Sequence, residues 1–162
     1  MIEIVRKRTL NAPVDRVWEL IEPVERLPQW FVGTDTALPL HGRGLGRKQR
    51  VGGKWGSRRF EIDQTVTQYE PRRRLAWRHD AERLDGKPAP MISREVEFSI
   101  QLDALKDGTR VQLSSRHVPD GVLKGLIIRL VAAPGIARMM ERSLDRMTVM
   151  LGRMNLPNDT LS

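Results

Sequence analysis

At 162 residues, with 40% hydrophobic and 30% charged side chains, the chain has the length and balance of one globular domain with room for a real core. Zero Cys excludes disulfides, thiolate nucleophiles, Cys-bound zinc and iron–sulfur clusters, and fits a reducing compartment. The formal net charge of +8 raises the question of a polyanionic partner.

The opening stretch, MIEIVRKRTL, has no apolar core of signal-peptide length, and no run approaches the roughly 20 apolar residues of a membrane span. A cytoplasmic location is therefore expected. Residues 2–10 lack Gly and Pro and carry Ile2, Ile4, Val5 and Leu10, which suits a first strand. A helix follows: Pro13 is pre-set for a first turn, Asp15 suits the positive end of the helix dipole, and Val14, Val17, Trp18 and Ile21 recur on one face. Pro23 restarts the chain, and Val24 and Leu27 continue a second short helix toward Pro28 and the pair Trp30 and Phe31.

Between 43 and 59 lie Arg43, Arg47, Lys48, Arg50, Lys54, Arg58 and Arg59 without one acid. Nucleic-acid modules interleave such charge with stacking aromatics or a recognition helix, and here only Trp55 is nearby, so no specific nucleic-acid partner is expected. The segment reads as a solvated outer sheet face. Gly42, Gly44 and Gly46 precede no helix that could present its N-terminus to a phosphate, and read as a turn. From Gly33 to Val118, strand-length runs alternate with Gly, Pro and Asp. Strands are expected near 35–40, 45–52, 58–69, 73–80, 92–103 and 109–118, an antiparallel meander that makes seven with the first. The tail from about Asp120 to Met154 is helical, with Pro134-Gly135 as a break or kink. Its first part, Val122 to Ala133, is apolar nearly all round; its second carries the stripe Ile136, Met140, Leu144, Met147, Leu151 and Met154. Met is adaptable, so the stripe suits either ordinary gap-filling or contact with a guest.

NAPVDRVWELIEPVERLPQW at 11–30, Gly46 within GLGRKQRV, TVTQYEPRRRLAWR at 65–78 and DGTRVQLS at 107–114 together resemble the START-like superfamily, also called SRPBCC or helix-grip. Within it they are similar to the polyketide cyclase/dehydrase-like group. The resemblance covers nearly the whole chain and implies an α+β fold: a curved seven-stranded antiparallel sheet gripping a long C-terminal helix around an apolar cavity, with the two short helices plugging one end. One ligand-binding domain over 1–156 and a flexible tail over 157–162 are expected.

Strand parity then proposes which side chains face that cavity. The even positions Phe60, Ile62, Gln64 and Val66, then Leu75, Trp77 and His79, then Ile92, Arg94, Val96, Phe98 and Ile100, and finally Val111, Leu113, Ser115 and His117 share the apolar face. His79, Arg94 and His117 meet at one sheet end, the presumed mouth. The expected ligand-binding set is Phe60, Trp77, His79, Arg94, Phe98, Leu113, Ser115 and His117, with Leu126, Leu130, Met140 and Met147 from the helical side. A few polar groups in an apolar pocket orient a hydrophobic guest. A strand-terminal His can equally sit at the surface, and a bulge near Arg94 would turn it to solvent.

Three functions fit. One is binding or transport of a hydrophobic small molecule or lipid. The second, implied by the resemblance, is a cyclase or aromatase closing rings on a keto substrate, with His79 or His117 as base and Arg94 as donor to the enolate oxygen. The third is a peripheral membrane lipid carrier. The three His residues have no ligand spacing, so neither metal nor cofactor is expected, and the chain would act as a monomer or homodimer.

Overall fold

The computed structural model describes residues 1–154, and the tail expected over 157–162 lies outside the described residues. Among the described residues eight strands occur: β1 Ile2–Leu10, β2 Thr36–His41, β3 Lys48–Trp55, β4 Arg58–Glu70, β5 Arg74–Leu84, β6 Lys87–Pro88, β7 Ser93–Leu105 and β8 Gly108–Pro119. The helices are α1 Val14–Ile21, a 3-10 turn at Val24–Arg26, α2 Leu27–Trp30, α3 Val122–Ile127, a π-helical turn at Ile128–Ala132, and α4 Ala133–Met154. All pairings are antiparallel, in the order β1-β8-β7-β5-β4-β3-β2, with the two-residue β6 added on β5. The eighth strand exists because Asp85-Gly86, both at positive φ, forms a two-residue hairpin turn that prolongs β5.

Four bulges bend these strands into a grip: before His41, at Thr67, at Asp80 and at Arg94. Each gives one strand an extra residue and increases its local bend and twist. Glycine lets the bent sheet approach the segment after α2, since a Cβ on Gly53 would lie 2.0 Å from the Gly33 carbonyl oxygen. The turn reading of Gly42, Gly44 and Gly46 also holds, all three having positive φ.

The stripe of α4 fills the concavity. Met140, Leu144, Met147 and Leu151 are buried and pack with Trp77, Phe98, Ile100, Leu113 and the plug residues Val17, Leu20, Ile21 and Trp30. Burying each such side chain contributes about 1.5–3 kcal/mol. On the edge strand β1, Arg6 reaches Glu141 at 3.2 Å and Arg8 reaches Glu141 at 2.9 Å and also Asp145, clamping the helix flank. Ser143 Oγ accepts from the Val32 backbone N–H at 3.0 Å and so ties α4 to the end of the plug. Trp18 meets Tyr69 edge-on at 5.5 Å, and Trp30 is wholly buried.

The break expected at Pro134 is displaced. The helical path continues through Pro134, and the irregularity is the π-turn one turn earlier, where the N–H that Pro134 lacks would have been needed. The basic run is also not a bare cationic face. Arg47 is buried (7% exposed), holding Glu22 and Gln49, and Lys48, Arg50, Arg58 and Arg59 pair with Asp80, Asp63, Asp85 and Asp35. Asp63, gripped by both Arg50 and Arg83, stays well below the ordinary carboxylate range.

The buried stripe makes the fold sensitive to one residue. Leu144→Ala should lower stability in urea denaturation by about 2–5 kcal/mol, whereas Val149→Ala, at an exposed position of the same helix, should change it by under about 0.5 kcal/mol.

Candidate functional site

The sheet splits at one end. The ladder between β5 and β7 stops at Arg78–Glu97, yet β5 continues to Leu84 beside β4, and β7 begins at Ser93 beside β8. Polar side chains gather on the concave face around that split. His79 Nδ1 lies 2.7 Å from Glu82 Oε1, and Ser115 Oγ lies 2.9 Å from His117 Nε2. Val96 pairs with His117, Phe98 with Ser115 and Trp77 with Phe98, so the apolar wall begins directly beside the polar groups. The Trp77 and Phe98 rings stack at 5.2 Å, and Phe31 meets Phe98 edge-on at 5.1 Å.

Glu82 is the residue that sequence parity misses. Asp80 is the extra residue of its bulge, since Gln64 pairs with His79 and Asp63 with Ala81. Inward parity on β5 therefore passes from Leu75, Trp77 and His79 to Glu82 and Leu84. Asp80 itself turns to the convex face, where it bonds Thr65 and Arg78. The readable signal was the combination of Asp85-Gly86, a hairpin turn, with alternation that resumes one residue out of phase; Ala81–Leu84 then reads as strand instead of loop.

Arg94 must be corrected. Ser93 pairs with Pro119 and Glu95 with Val118, so Arg94 is the bulged residue and is exposed, while Ser93 takes the inward place. The buried Ser93 hydroxyl has no hydrogen-bond partner. Leu126 and Leu130, expected to line a cavity, are also exposed, because α3 turns only Gly125 and the following π-turn only Ile128 inward. Phe60 is half-buried, and Trp77, Phe98, Leu113, Ser115, His117, Met140 and Met147 are buried. The interior between sheet and α4 is occupied by these side chains. Open clefts lie at the ends. One, of about 470 Å³, runs from Asn11 to Val14 and Ala104 to Gly108 at the plugged end. The other, of about 570 Å³, is lined at the split end by Met1, Ile2, Arg94, Pro119, Val122, Leu126 and Arg129. Ile2 pairs with His117, so the second cleft adjoins the polar cluster.

Electrostatics within the cluster are asymmetric. The hydrogen bond from His79 holds Glu82 below its ordinary carboxylate range against the opposing effect of burial, with the charges of His79 and His117 adding to it. Burial pushes His117 (8% exposed) below the ordinary imidazole value, and a neighbouring His79 charge pushes it the same way. The arrangement is an ionised carboxylate hydrogen-bonded to one imidazole ring, next to a second ring that burial favours in its neutral form. Among the described residues no three His, Asp or Glu side chains are grouped to hold a metal ion.

Residues 1–150 match the family model described as polyketide cyclase/dehydrase and lipid transport. The chain belongs to that family. No curated protein matches it. Among solved structures, a protein from Thermus thermophilus superposes on this family member with a TM-score of 0.74 at 14% identity, over 96% of this chain and 100% of the other. A START superfamily protein from Mycobacterium smegmatis gives 0.70 at 11%, over 94% and 99%. DynU16, from the dynemicin biosynthetic locus, gives 0.62 at 22%, over 93% of this chain and 47% of that one. At these identities the likeness establishes the helix-grip fold.

The pH dependence of this family member follows from the cluster. The folded-state pKa of His117 lies below its unfolded value of about 6.5, so its contribution is fully present above that pH and is lost as pH falls toward the folded value. Glu82 has the same sign, from about pH 4.3 downward. Urea denaturation at pH 7.5 and 5.5 should show a loss for the wild type that is smaller in His117→Gln.

Proposed function

We propose that this family member binds a small apolar molecule bearing a neutral carbonyl or hydroxyl group. The polar head lies among His79, Glu82, Ser115 and His117, and the body runs along Trp77, Phe98 and Leu113. The carrying observation is the His79–Glu82 pair on the concave face, beside an apolar wall and at the split in the sheet. An anionic head loses its support with Arg94 outside and the Glu82 carboxylate ionised; a neutral head can accept from or donate to the cluster. The unpartnered Ser93 hydroxyl adds a second polar group that a guest satisfies, since leaving it buried alone costs about 1–3 kcal/mol. Met140 and Met147, unbranched and adaptable, are the side chains that repack to make room.

A second reading rests on the same pair. With Nδ1 on Glu82, His79 keeps Nε2 for a guest, and the carboxylate stabilises the imidazolium that forms when Nε2 takes a proton from carbon beside a carbonyl. Ring closure on a keto substrate would use that step, with a hydroxyl or imidazole N–H of the cluster donating to the enolate oxygen. Turnover of a poly-keto surrogate that His79→Gln abolishes distinguishes this enzyme from a binder.

The binding proposal is tested by calorimetry with a long-chain 2-alkanone and the alkane of equal length. Glu82→Gln keeps the shape but removes the charge, and should weaken the ketone about ten-fold while leaving the alkane unchanged. Arg78→Met, on the convex face, should alter neither. Equal losses for both guests, or none, contradict the proposal.

A further inference from the structure

Exposed apolar surface is concentrated at the split end of the grip. Of the fifteen exposed large hydrophobic side chains among the described residues, ten lie there. Met1, Trp55, Met91 and Ile92 sit at strand ends and loops of that edge, and the other six on the helical stretch 122–131 that begins there. Trp55 is 76% exposed and Val122 94%. The α3 segment is fixed with this face outward. Gly125 is packed so closely that a Cβ would lie 3.3 Å from Pro119, Ile128 is buried, and Lys124 Nζ is tied to the Met91 carbonyl at 3.2 Å and to Asp120 at 3.1 Å. Apolar exposure concentrated on one edge in this way marks an interaction surface.

Charge selects the occupant. Around the same edge Asp35 is paired with Arg59, Asp85 with Arg58 and Asp120 with Lys124. Among the described residues Lys87, Arg94 and Arg129 take part in no ion pair, against one such carboxylate on the edge, Glu95. Arg94 and Arg129 both line the cleft whose other walls include Met1, Val122 and Leu126. Apolar side chains that enter an acyl boundary, a Trp at the rim and uncompensated cations at headgroup level are the complement of an anionic bilayer surface. No described helix is long and apolar enough to cross a membrane, so the contact is peripheral.

We propose that this edge, α3 and its π-turn together with Trp55, Met91 and Ile92, is a docking surface for an anionic lipid membrane. It places the split in the sheet, and with it the polar cluster, against the bilayer. The proposal stands on surface exposure and charge, independently of which guest the concave face takes.

Vesicle co-sedimentation tests it, with phosphatidylcholine alone and with an equal mixture of phosphatidylcholine and phosphatidylglycerol, at low and physiological salt. The wild type should bind the mixed vesicles preferentially and less tightly as salt rises. Arg94→Gln with Arg129→Gln should weaken binding about twenty-fold at low salt. Leu126→Gln with Leu130→Gln should abolish it, with an unchanged thermal melt because both positions are exposed. Vesicles should blue-shift the tryptophan emission of the wild type and not of Trp55→Phe, since Trp30 and Trp77 are buried and the half-buried Trp18 lies on α1 at the plugged end. Absence of vesicle binding, equal binding to both compositions, or self-association in solution that the Leu pair of substitutions abolishes overturns the proposal. The ketone titration is run without vesicles, so failure of either idea is read separately.

Discussion

One buried stripe of α4 sets the geometry of the molecule. Met140, Leu144, Met147 and Leu151 can leave water only if a surface wraps them on more than one side, and the antiparallel sheet supplies it by coiling. The bulges that coil the sheet are therefore a condition of the core. The clamp of Arg6 and Arg8 on Glu141 and Asp145 fixes the helix flank against edge strand β1, and the plug formed by α1 and α2 covers the far end. The opposite end is left with strands that part company and a helix that shows its apolar face to solvent.

The same bulges write the chemistry. At Asp80 the extra residue brings Glu82 onto the face that already holds His79, producing a carboxylate–imidazole pair in an apolar setting. At Arg94 it expels a cation and brings in a serine hydroxyl. The concave face thus changes from the cationic site suggested by alternation to one that keeps an ionised carboxylate. The preference shifts from acids toward neutral oxygen-bearing guests, and the expelled Arg94 becomes part of the surface where the docking proposal places lipid headgroups.

The fold was legible because its determinants are local and redundant. Pro13, Pro23 and Pro28 punctuate the plug, long alternating runs mark the strands, and the stripe from Ile136 to Leu151 has an unbroken helical period. The site was legible only in part, because parity carries information along a strand only until a bulge. Trp77 and His79 precede the bulge on β5, Ser115 and His117 lie on a strand without one, and Phe98 lies on the regular stretch of β7, so all five were placed; Glu82 follows a bulge and Arg94 occupies one, and neither was. The basic run at 43–59 reads correctly as an outer face apart from the buried Arg47, but its pairing does not show in the sequence. Its counter-charges Glu22, Asp35, Asp63, Asp80 and Asp85 are distant in sequence and become neighbours only through strand pairing. The apolar stretch Val122 to Ala133 offered no face to choose, and the small contact of Gly125 with Pro119 decided which side turned inward.

The most direct measurement of the central claim is a crystal structure of the protein with a long-chain 2-alkanone. The carbonyl oxygen is expected within hydrogen-bond distance of Ser115 or His117, with the chain along Trp77 and Phe98 and altered rotamers at Met140 or Met147. A ketone found instead only in the cleft between Met1, Val122 and Arg129, with the concave face packed as before, would contradict it.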